Sequence, residues 1–264
     1  MKETTNSSPK PFIALKPLSW KPSLLIFIIT AAGLYSAYYL FATNFTQATG
    51  QPFLIGYLIA WVGAMSLVFC AAVLAYRLEG RPFTKEAITS RFRLDRLSWQ
   101  DVLWLLALFV VSIGGITALS FTMHILASFP LFAPHPTFPP DLGPDIAQNL
   151  TPGVLFGMPL QGKWWIAGVY LIGWLLNILG EEFWYRGWML PRQELAFGKY
   201  AWLVNGLMFN FQHTFQPWNL LAMLPGSLFL SYVVQHRGKT WLSIIWHGTL
   251  NIALLVFVVQ GVAR

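Results

Sequence analysis

Charged residues are scarce in this chain of 264 residues. Lys, Arg, Asp and Glu together make up 10% of it, whereas 56% is hydrophobic, with 13 Trp and 21 Phe. A soluble globular domain typically carries about 25% charged residues. The composition therefore excludes an ordinary soluble domain and predicts a protein that crosses a membrane several times.

Cysteine is almost absent, and a convincing cleavable leader is absent as well. The single cysteine, Cys70, lies in the middle of an apolar stretch, which excludes a disulfide framework and a cysteine metal site. The first 22 residues are polar and rich in proline, and the apolar run after them is too long for a signal-peptide core. We expect that first run to remain as an anchor.

Long apolar stretches predict an all-α polytopic helix bundle of about seven spans. The stretches cover residues 23–43, 53–76, 102–128, 164–190, 200–213, 218–235 and 240–260. Between them we expect a cytoplasmic tail over 1–22, three N-terminal spans within 23–128, and a proline-rich outer loop over 129–163. Within the N-terminal part, 77–101 reads as an amphipathic helix on the inner leaflet, with a solvated charged loop as the alternative. Residues 164–260 form the C-terminal core.

The net charge of +7 is distributed by topology and does not indicate nucleic-acid binding. Lys and Arg gather in the N-terminal tail and in alternate connections, notably 77–96, 192–199 and 237–239. Such alternation predicts a cytoplasmic N-terminus and an external C-terminus, in a plasma (inner) membrane if the protein is bacterial. Anionic lipid then accounts for the basic excess.

A compact group of charges interrupts the fourth apolar stretch. Glu181, Glu182 and Arg186 fall within six residues, and ionisable side chains at membrane depth usually mark a site. Glu182 and Arg186 are four apart in the favourable acid-before-base order, so we expect an ion pair. Glu181 then has no sequence-local cation, which makes it a candidate base.

Two further polar clusters follow, each with its end residues four apart on one helix face. They are Phe209-Asn-Phe-Gln-His213 and His247-Gly-Thr-Leu-Asn251. Each group alone is usually a polar tie between membrane helices. Because polar groups in lipid must find partners, we expect all three clusters to converge into a hydrolytic site. Serine nucleophiles are candidates by position only: Ser227, Ser231 and Ser243.

The ordered motifs Glu-Glu-x-x-x-Arg, Phe-x-x-x-His and His-x-x-x-Asn resemble those of the CAAX-protease and bacteriocin-processing family of intramembrane endopeptidases. This family includes the type II prenyl-protein endopeptidases, and the resemblance covers residues 165–260. It implies a protease whose catalytic core lies in the last four spans.

The resemblance also implies a role for each motif residue. Glu181 and His213 would activate water, His247 and Asn251 would stabilise an oxyanion, and Glu182 and Arg186 would support them. A zinc site formed by Glu181, His213 and His247 is the alternative; the metal-free scheme is favoured because no His-Glu-x-x-His is present. The partners would be a peptide or protein substrate and the bilayer.

Two other classes of function remain open. One is a noncatalytic membrane scaffold or immunity factor with the same fold, and the other is a proton-coupled transporter, which the lack of a duplicated half disfavours. A difficulty concerns His213, which at 1.5 Å per residue lies about 21 Å from Lys199, deeper than Glu181 and His247. We therefore predict a buried turn over 214–219 and a water-accessible cavity toward the cytoplasm.

Overall fold

The computed structural model describes residues 14–137 and 139–264, and their architecture is almost entirely helical. The N-terminal half contains α1 (Trp20–Tyr35), a π-helical turn (Ser36–Phe41), α2 (Ala42–Thr49), α3 (Phe53–Leu78), α4 (Lys85–Arg91), α5 (Trp99–Leu119) and α6 (Phe121–Ala127). A loop region follows with a 3₁₀ turn (Pro140–Leu142), α7 (Ile146–Asn149), and the two-residue strands β1 (Val154–Leu155) and β2 (Met158–Pro159).

The C-terminal core begins with α8 (Trp164–Glu181), which continues into a π-helical segment (Glu182–Met189) and α9 (Leu190–Phe197). After a 3₁₀ turn (Gly198–Tyr200) come α10 (Ala201–Gln212), two more 3₁₀ turns (His213–Phe215 and Pro217–Asn219), α11 (Leu220–Arg237) and α12 (Trp241–Ala263). The predicted all-α polytopic bundle is confirmed.

Six helical runs of the described chain are long and apolar enough to cross a membrane. The number is smaller than the predicted seven because two predicted stretches lie in one run, from Trp164 to Phe215. Within that run α10 has 12 residues, a rise of about 18 Å, which is shorter than a hydrocarbon core of about 30 Å. Helix α10 therefore does not cross by itself.

Large apolar side chains on the outer faces of the long helices are exposed, as lipid-facing residues are. Leu67 on α3 and Val110 on α5 are 73% and 71% exposed. Because lipid tails are as apolar as these side chains, helix contacts depend on close packing, which small residues allow. Gly173 on α8 is an example, since a Cβ there would lie 2.6 Å from the ring of Trp61 on α3.

Helix α8 occupies the centre of the bundle. It packs against α3 on one side and α12 on the other, while α11 packs against both α5 and α10. Helix α1 lies beside α10 and contacts α3 only sparsely. The motif-bearing elements α8, α10 and α12 are thereby brought together, which positions the site.

The connection over 77–101 is not one amphipathic helix, and this prediction is corrected. Helix α3 runs on to Leu78, α5 already starts at Trp99, and only the seven-residue α4 lies between them. The chain turns at Gly80, whose φ is +72°, and then passes Pro82, which cannot continue a helix. Glu79, Arg81 and Arg91 form an ion cluster on its inner side, whereas Arg77, Lys85 and Glu86 are exposed.

That ion cluster centres on Glu79, whose carboxylate is buried among three arginines. Arg91 donates to both of its oxygens at 2.6 and 2.8 Å, Arg192 donates at 2.7 Å and Arg81 at 2.9 Å. Arg91 also donates to the Gly187 carbonyl at 2.6 Å. The connection is thus fastened to the segment that carries the glutamates.

The proline-rich region 129–163 is irregular, as predicted, with short elements only. β1 and β2 pair through a tight turn at Phe156 and Gly157, which both have positive φ. The end of this region meets the end of α12, where the Gly162 amide donates to the Val262 carbonyl at 3.0 Å. The loop and the C-terminal helix end therefore share one end of the bundle.

Candidate active site

Glu181 and Glu182 lie where the core helix changes its hydrogen-bonding pattern. Glu181 is the last residue of α8, and Glu182 begins the π-helical segment. Such π turns inside longer helices are frequent at functional sites. The two glutamates are 3% and 0% exposed, so both carboxylates are inside the protein.

Glu182 contacts both a buried arginine and a buried histidine. Its Oε1 accepts from Arg186 Nη1 at 3.3 Å and lies 2.8 Å from His247 Nδ1 on α12. The Arg186 guanidinium, also fully buried, stacks 3.7 Å from the centroid of the Phe209 ring. The predicted Glu182–Arg186 ion pair is therefore present, and it holds α12 as well.

The partners of His247 define which ring nitrogen carries the proton. A carboxylate can only accept, so the Nδ1 that faces Glu182 must be the donor. On the other side of the ring, Nε2 lies 3.2 Å from the Asn177 side-chain nitrogen, which can only donate. In a neutral imidazole Nε2 is then the acceptor, and Glu182 and Asn177 together fix the orientation of the ring.

Glu181 faces the same imidazole with a gap between them. Its Oε1 accepts a hydrogen bond from Gln212 Nε2 at 3.0 Å, and its Oε2 lies 4.0 Å from His247 Nε2. No hydrogen-bond partner for Oε2 is found in the described chain. A separation of 4.0 Å is too long for a direct hydrogen bond.

His213 is not paired with Glu181. Its Nδ1 bonds the Phe209 carbonyl at 2.9 Å, and its ring lies between the rings of Phe209 and Phe215. The neighbouring Gln212, not His213, contacts Glu181. Because Nδ1 binds a carbonyl, it carries the proton, which leaves Nε2 as an acceptor.

Asn251 lies outside the group in this arrangement. Its side-chain amide donates to the His247 carbonyl at 3.1 Å, one turn back on the same helix, and the residue is exposed. Sharing a helix face with His247 was predicted from the spacing. The two side chains nevertheless do not converge, because the amide is bonded to its own backbone.

The three candidate serines all have hydrogen-bond partners, and Ser243 is also a neighbour of the Glu182 carboxylate. Ser227 donates to Asn210, Ser231 to Asn205, and Ser243 to the Thr240 carbonyl, at 3.3, 2.9 and 2.9 Å. None of these hydroxyls is bonded to a histidine. They tie α11 to α10 and cap the start of α12.

The donors proposed for zinc are not gathered as a set of three. Within the described residues, no three His, Cys, Asp or Glu side chains are grouped closely enough to hold a metal ion. Glu181 and His247 are neighbours, but His213 faces its own helix backbone. In this arrangement Glu181, His213 and His247 do not fit the tetrahedral site that zinc prefers.

The turn after α10 is only partly buried, with Thr214 exposed and Trp218 inside the protein. Trp218 is 1% exposed, and the Tyr39 hydroxyl donates to the Phe215 carbonyl. Two clefts flank α1: one of about 1180 Å³ toward α10 and one of about 780 Å³ toward α3. Gln212 lines the larger cleft. The predicted cavity was to open toward the cytoplasm. The two clefts found here are instead defined by their position beside α1, so that prediction stays a prediction.

Two site residues escaped the sequence prediction, namely Asn177 and Gln212. Both have a sequence signal: Asn177 is a lone amide one helical turn before Glu181, and Gln212 directly precedes His213. An amide in an apolar stretch is an ordinary helix tie, so neither stood out. Only the packing of α8 against α12 and α10 gives them their partners.

Comparison with known proteins gives one match. Residues 163–253 match the family model described as type II CAAX prenyl endopeptidase Rce1-like. No curated protein and no solved structure matches the chain. The matched region holds all three motifs and the contacts around Glu181 and His247, and the match supports the predicted resemblance over these residues.

Proposed function

Residues 163–253 belong to the Rce1-like family of type II CAAX prenyl endopeptidases, and from this premise we propose that the protein cleaves a peptide bond with water activated by Glu181. One observation carries the proposal. The unpartnered Glu181 Oε2 is buried and stands 4.0 Å from His247 Nε2, so a carboxylate and an imidazole face each other inside the protein.

Glu181 acts as the general base. It takes a proton from water while the water oxygen bonds to the scissile carbonyl carbon, whose oxygen becomes negative. The carbon–nitrogen bond then breaks, and Glu181 returns the proton to the leaving amine. The hydrogen bond from Gln212 occupies Oε1, so the reaction uses Oε2.

His247 is the group opposite the base. Its Nδ1–H stays with Glu182, and once Nε2 holds a proton it can donate a hydrogen bond to the oxyanion. For this, the Asn177 amide must give up its hydrogen bond to His247 Nε2. Glu182 and Arg186 hold the ring in place without touching substrate.

The roles of His213 and Asn251 rest on the family resemblance. His213 can accept a proton at Nε2, since Nδ1 is held by the Phe209 carbonyl. Asn251 can join His247 as an oxyanion donor once its amide leaves the His247 carbonyl. The scheme is metal-free, because the chain's own groups supply a base and a donor.

The test is cleavage of a fluorogenic peptide library by the purified protein in lipid nanodiscs. Glu181→Gln and His247→Ala should each lower the rate by about 10²- to 10⁴-fold, the usual contribution of a general acid–base group. Ser231→Ala, which also loses a buried hydrogen bond but lies outside the site, should keep the wild-type rate.

Two outcomes would redirect the proposal. Cleavage that survives Glu181→Gln rules out the base assignment, and inactivity of every form favours a noncatalytic scaffold. A chelator added to the wild-type protein should leave the rate unchanged; loss of activity that zinc restores would replace the metal-free scheme.

A further inference from the structure

A cleft of about 780 Å³ separates α1 from α3. Apart from Thr30 and Ser36 its lining is apolar, and the Thr30 hydroxyl is bonded to the Ile26 carbonyl of its own helix. A Cβ at Gly63, in the wall formed by α3, would have no atom of a neighbouring helix within 4 Å among the described residues. The two helices therefore leave an apolar space between them at membrane depth.

The length of this cleft matches a lipid chain. Its α3 wall runs from Ile59 to Ala71, a rise of about 18 Å at 1.5 Å per residue. One leaflet contributes about 15 Å, which is half of a hydrocarbon core of about 30 Å. The same face of α3 continues through Leu74 and Leu78, which are 58% and 69% exposed. A chain in the cleft can therefore leave it along α3 toward the ion cluster at Glu79.

An aromatic ladder joins the other wall of the cleft to the same ion cluster. Trp184 lines the cleft, and the ring of Trp188, four residues later on the π-helical segment, stacks on it at 4.6 Å. The Arg192 guanidinium in turn lies 4.5 Å from the Trp188 ring. All three side chains are partly exposed. Both walls of the apolar cleft thus lead to the arginines.

The ion cluster around Glu79 carries more positive than negative charge. Three guanidinium groups, those of Arg81, Arg91 and Arg192, surround its one carboxylate. The exposed Lys16 lies beside them, since its carbonyl accepts from Arg192 Nη1 at 3.3 Å. The side chains of Arg81 and Arg192 are 17% and 14% exposed, so both are accessible from outside. Such an excess of basic groups at a membrane surface attracts anionic headgroups.

We propose that the cleft between α1 and α3 binds one anionic phospholipid, with an acyl chain between the helices and the phosphate at Arg81 and Arg192. A zwitterionic lipid brings a positive headgroup charge to a cluster that is already positive, so an anionic lipid is favoured. The lipid fills the space between α1 and α3 and contacts Trp184, on the segment that begins with Glu182. This site is separate from the proposed peptidase chemistry and does not depend on it.

The binding test uses the full chain, freed of lipid in dodecyl maltoside micelles and read by native mass spectrometry. The probes are dioleoyl phosphatidylglycerol and dioleoyl phosphatidylcholine, which have the same chains and differ in the headgroup. The wild-type protein should bind one phosphatidylglycerol at least about fivefold more tightly, the contribution of one basic residue near a membrane surface. Equal affinities for the two lipids overturn the inference.

Gly63→Leu tests the cleft. The new side chain enters space that holds no atom of a neighbouring helix, so the thermal stability of the lipid-free protein should be kept. Phosphatidylglycerol binding should weaken about tenfold or more, because each acyl methylene that leaves the cleft costs about fourfold. Gly114→Leu on α5 is the matched control, since Gly114 lines neither cleft and also has open space around it. Unchanged binding in Gly63→Leu overturns the inference.

Arg192→Gln tests the headgroup end. It should lower the preference for phosphatidylglycerol about fivefold and leave phosphatidylcholine binding unchanged. Arg96→Gln removes an exposed charge outside the cluster and should leave the preference as it is. If Arg192→Gln does not fold, Arg81→Gln is measured in its place. A full preference in the variant measured overturns the inference.

A second copy of the chain is the other candidate occupant of the cleft. It would appear in the same spectra as a dimer that Gly63→Leu dissociates and that added phosphatidylglycerol leaves intact, and this result would overturn the lipid assignment. None of these measurements involves cleavage. A protein without peptidase activity can therefore still pass or fail each of them, which keeps this inference distinct from the proposed function.

Discussion

At the scale of single residues, the adjacent buried glutamates differ in their partners. Glu182 has an arginine and a histidine, whereas Glu181 has, among the described residues, only the neutral Gln212 within hydrogen-bonding distance. A paired carboxylate in a dry site keeps its partners in place. A carboxylate with one unpartnered oxygen can still accept a proton there, so the difference between the adjacent glutamates comes from their neighbours.

The buried pair makes a prediction about stability. Glu182→Gln leaves the fully buried Arg186 without a counter-charge, so it should lower the free energy of unfolding by about 3–5 kcal/mol. The double variant Glu182→Gln/Arg186→Met removes both charges and should recover much of that loss. Unfolding in detergent measures the stability of each form. If the effects of Glu182→Gln and Arg186→Met simply add up in the double variant, the pairing is contradicted.

At the scale of elements, the π-helical segment depends on close contact with the loop after α3. Gly187 lies under Phe92, and a Cβ at this position would be 2.5 Å from the Phe92 ring. The Phe92 ring is itself stacked on Phe183 at 4.7 Å and is almost fully buried. The ring cannot move aside, so this position of the segment requires glycine.

Gly187→Ala should therefore destabilise the fold by about 1–3 kcal/mol, as overpacking does. A second change, Phe92→Leu, removes part of the ring and should restore some of the loss, although alone it weakens the core. Thermal unfolding of the four forms gives the coupling. If Gly187→Ala lowers the stability equally in the Phe92 protein and in the Phe92→Leu protein, the contact is not tight.

The ion cluster of the same loop predicts a pH dependence. Burial raises the pKa of Glu79, but hydrogen bonds from Arg91, Arg192 and Arg81 outweigh it and lower the pKa to about 2. In the unfolded chain the Glu79 carboxyl has its ordinary pKa of about 4.5. As the pH falls, the unfolded chain therefore binds a proton before the folded protein does, and the folded state loses stability.

The free energy of unfolding should fall by about 3 kcal/mol between pH 4.5 and pH 2, and this contribution should be fully present above that window. Unfolding at pH 6, 4 and 3 measures it. Glu79→Gln should be less stable at pH 6 and should lose this part of the pH dependence. An unchanged slope in Glu79→Gln would assign the acid sensitivity to other carboxylates.

At the scale of the whole molecule, basic residues from distant connections meet at one end of the bundle. Arg192 reaches Glu79, and Arg237 and Lys239 both bind the buried Asp101 at the start of α5, each at 2.7 Å. The end of α12 lies at the other end, against the loop before α8. The alternation of charge along the sequence thus becomes a separation in space.

We expect the basic end to face the cytoplasm, with the two chain termini on opposite sides of the membrane. Reporter fusions at the N-terminus and after Arg264 measure this directly: a cytoplasmic reporter should be active only at the first, and an external reporter only at the second. Activity of the same reporter at both ends would overturn the expected orientation.

The sequence by itself determined the class of protein, the family resemblance of residues 163–253 and the pairing of Glu182 with Arg186. Each of these depends on composition or on residues within one helical turn, where helix geometry alone fixes the neighbours. Long apolar stretches likewise fixed the helices, because in lipid every backbone group of a spanning segment must be bonded internally.

The tertiary structure decided the partners of the candidate base. Which amide reaches Glu181, and whether His213 or His247 faces it, depends on how α8, α10 and α12 pack, and contacts across helices leave no mark at fixed sequence spacing. The same holds for the loop over 77–101, where Glu79 and Arg91 turn inward because Arg192 and the Gly187 carbonyl offer partners there. Local spacing identified the candidate residues, and packing between helices assigned their neighbours.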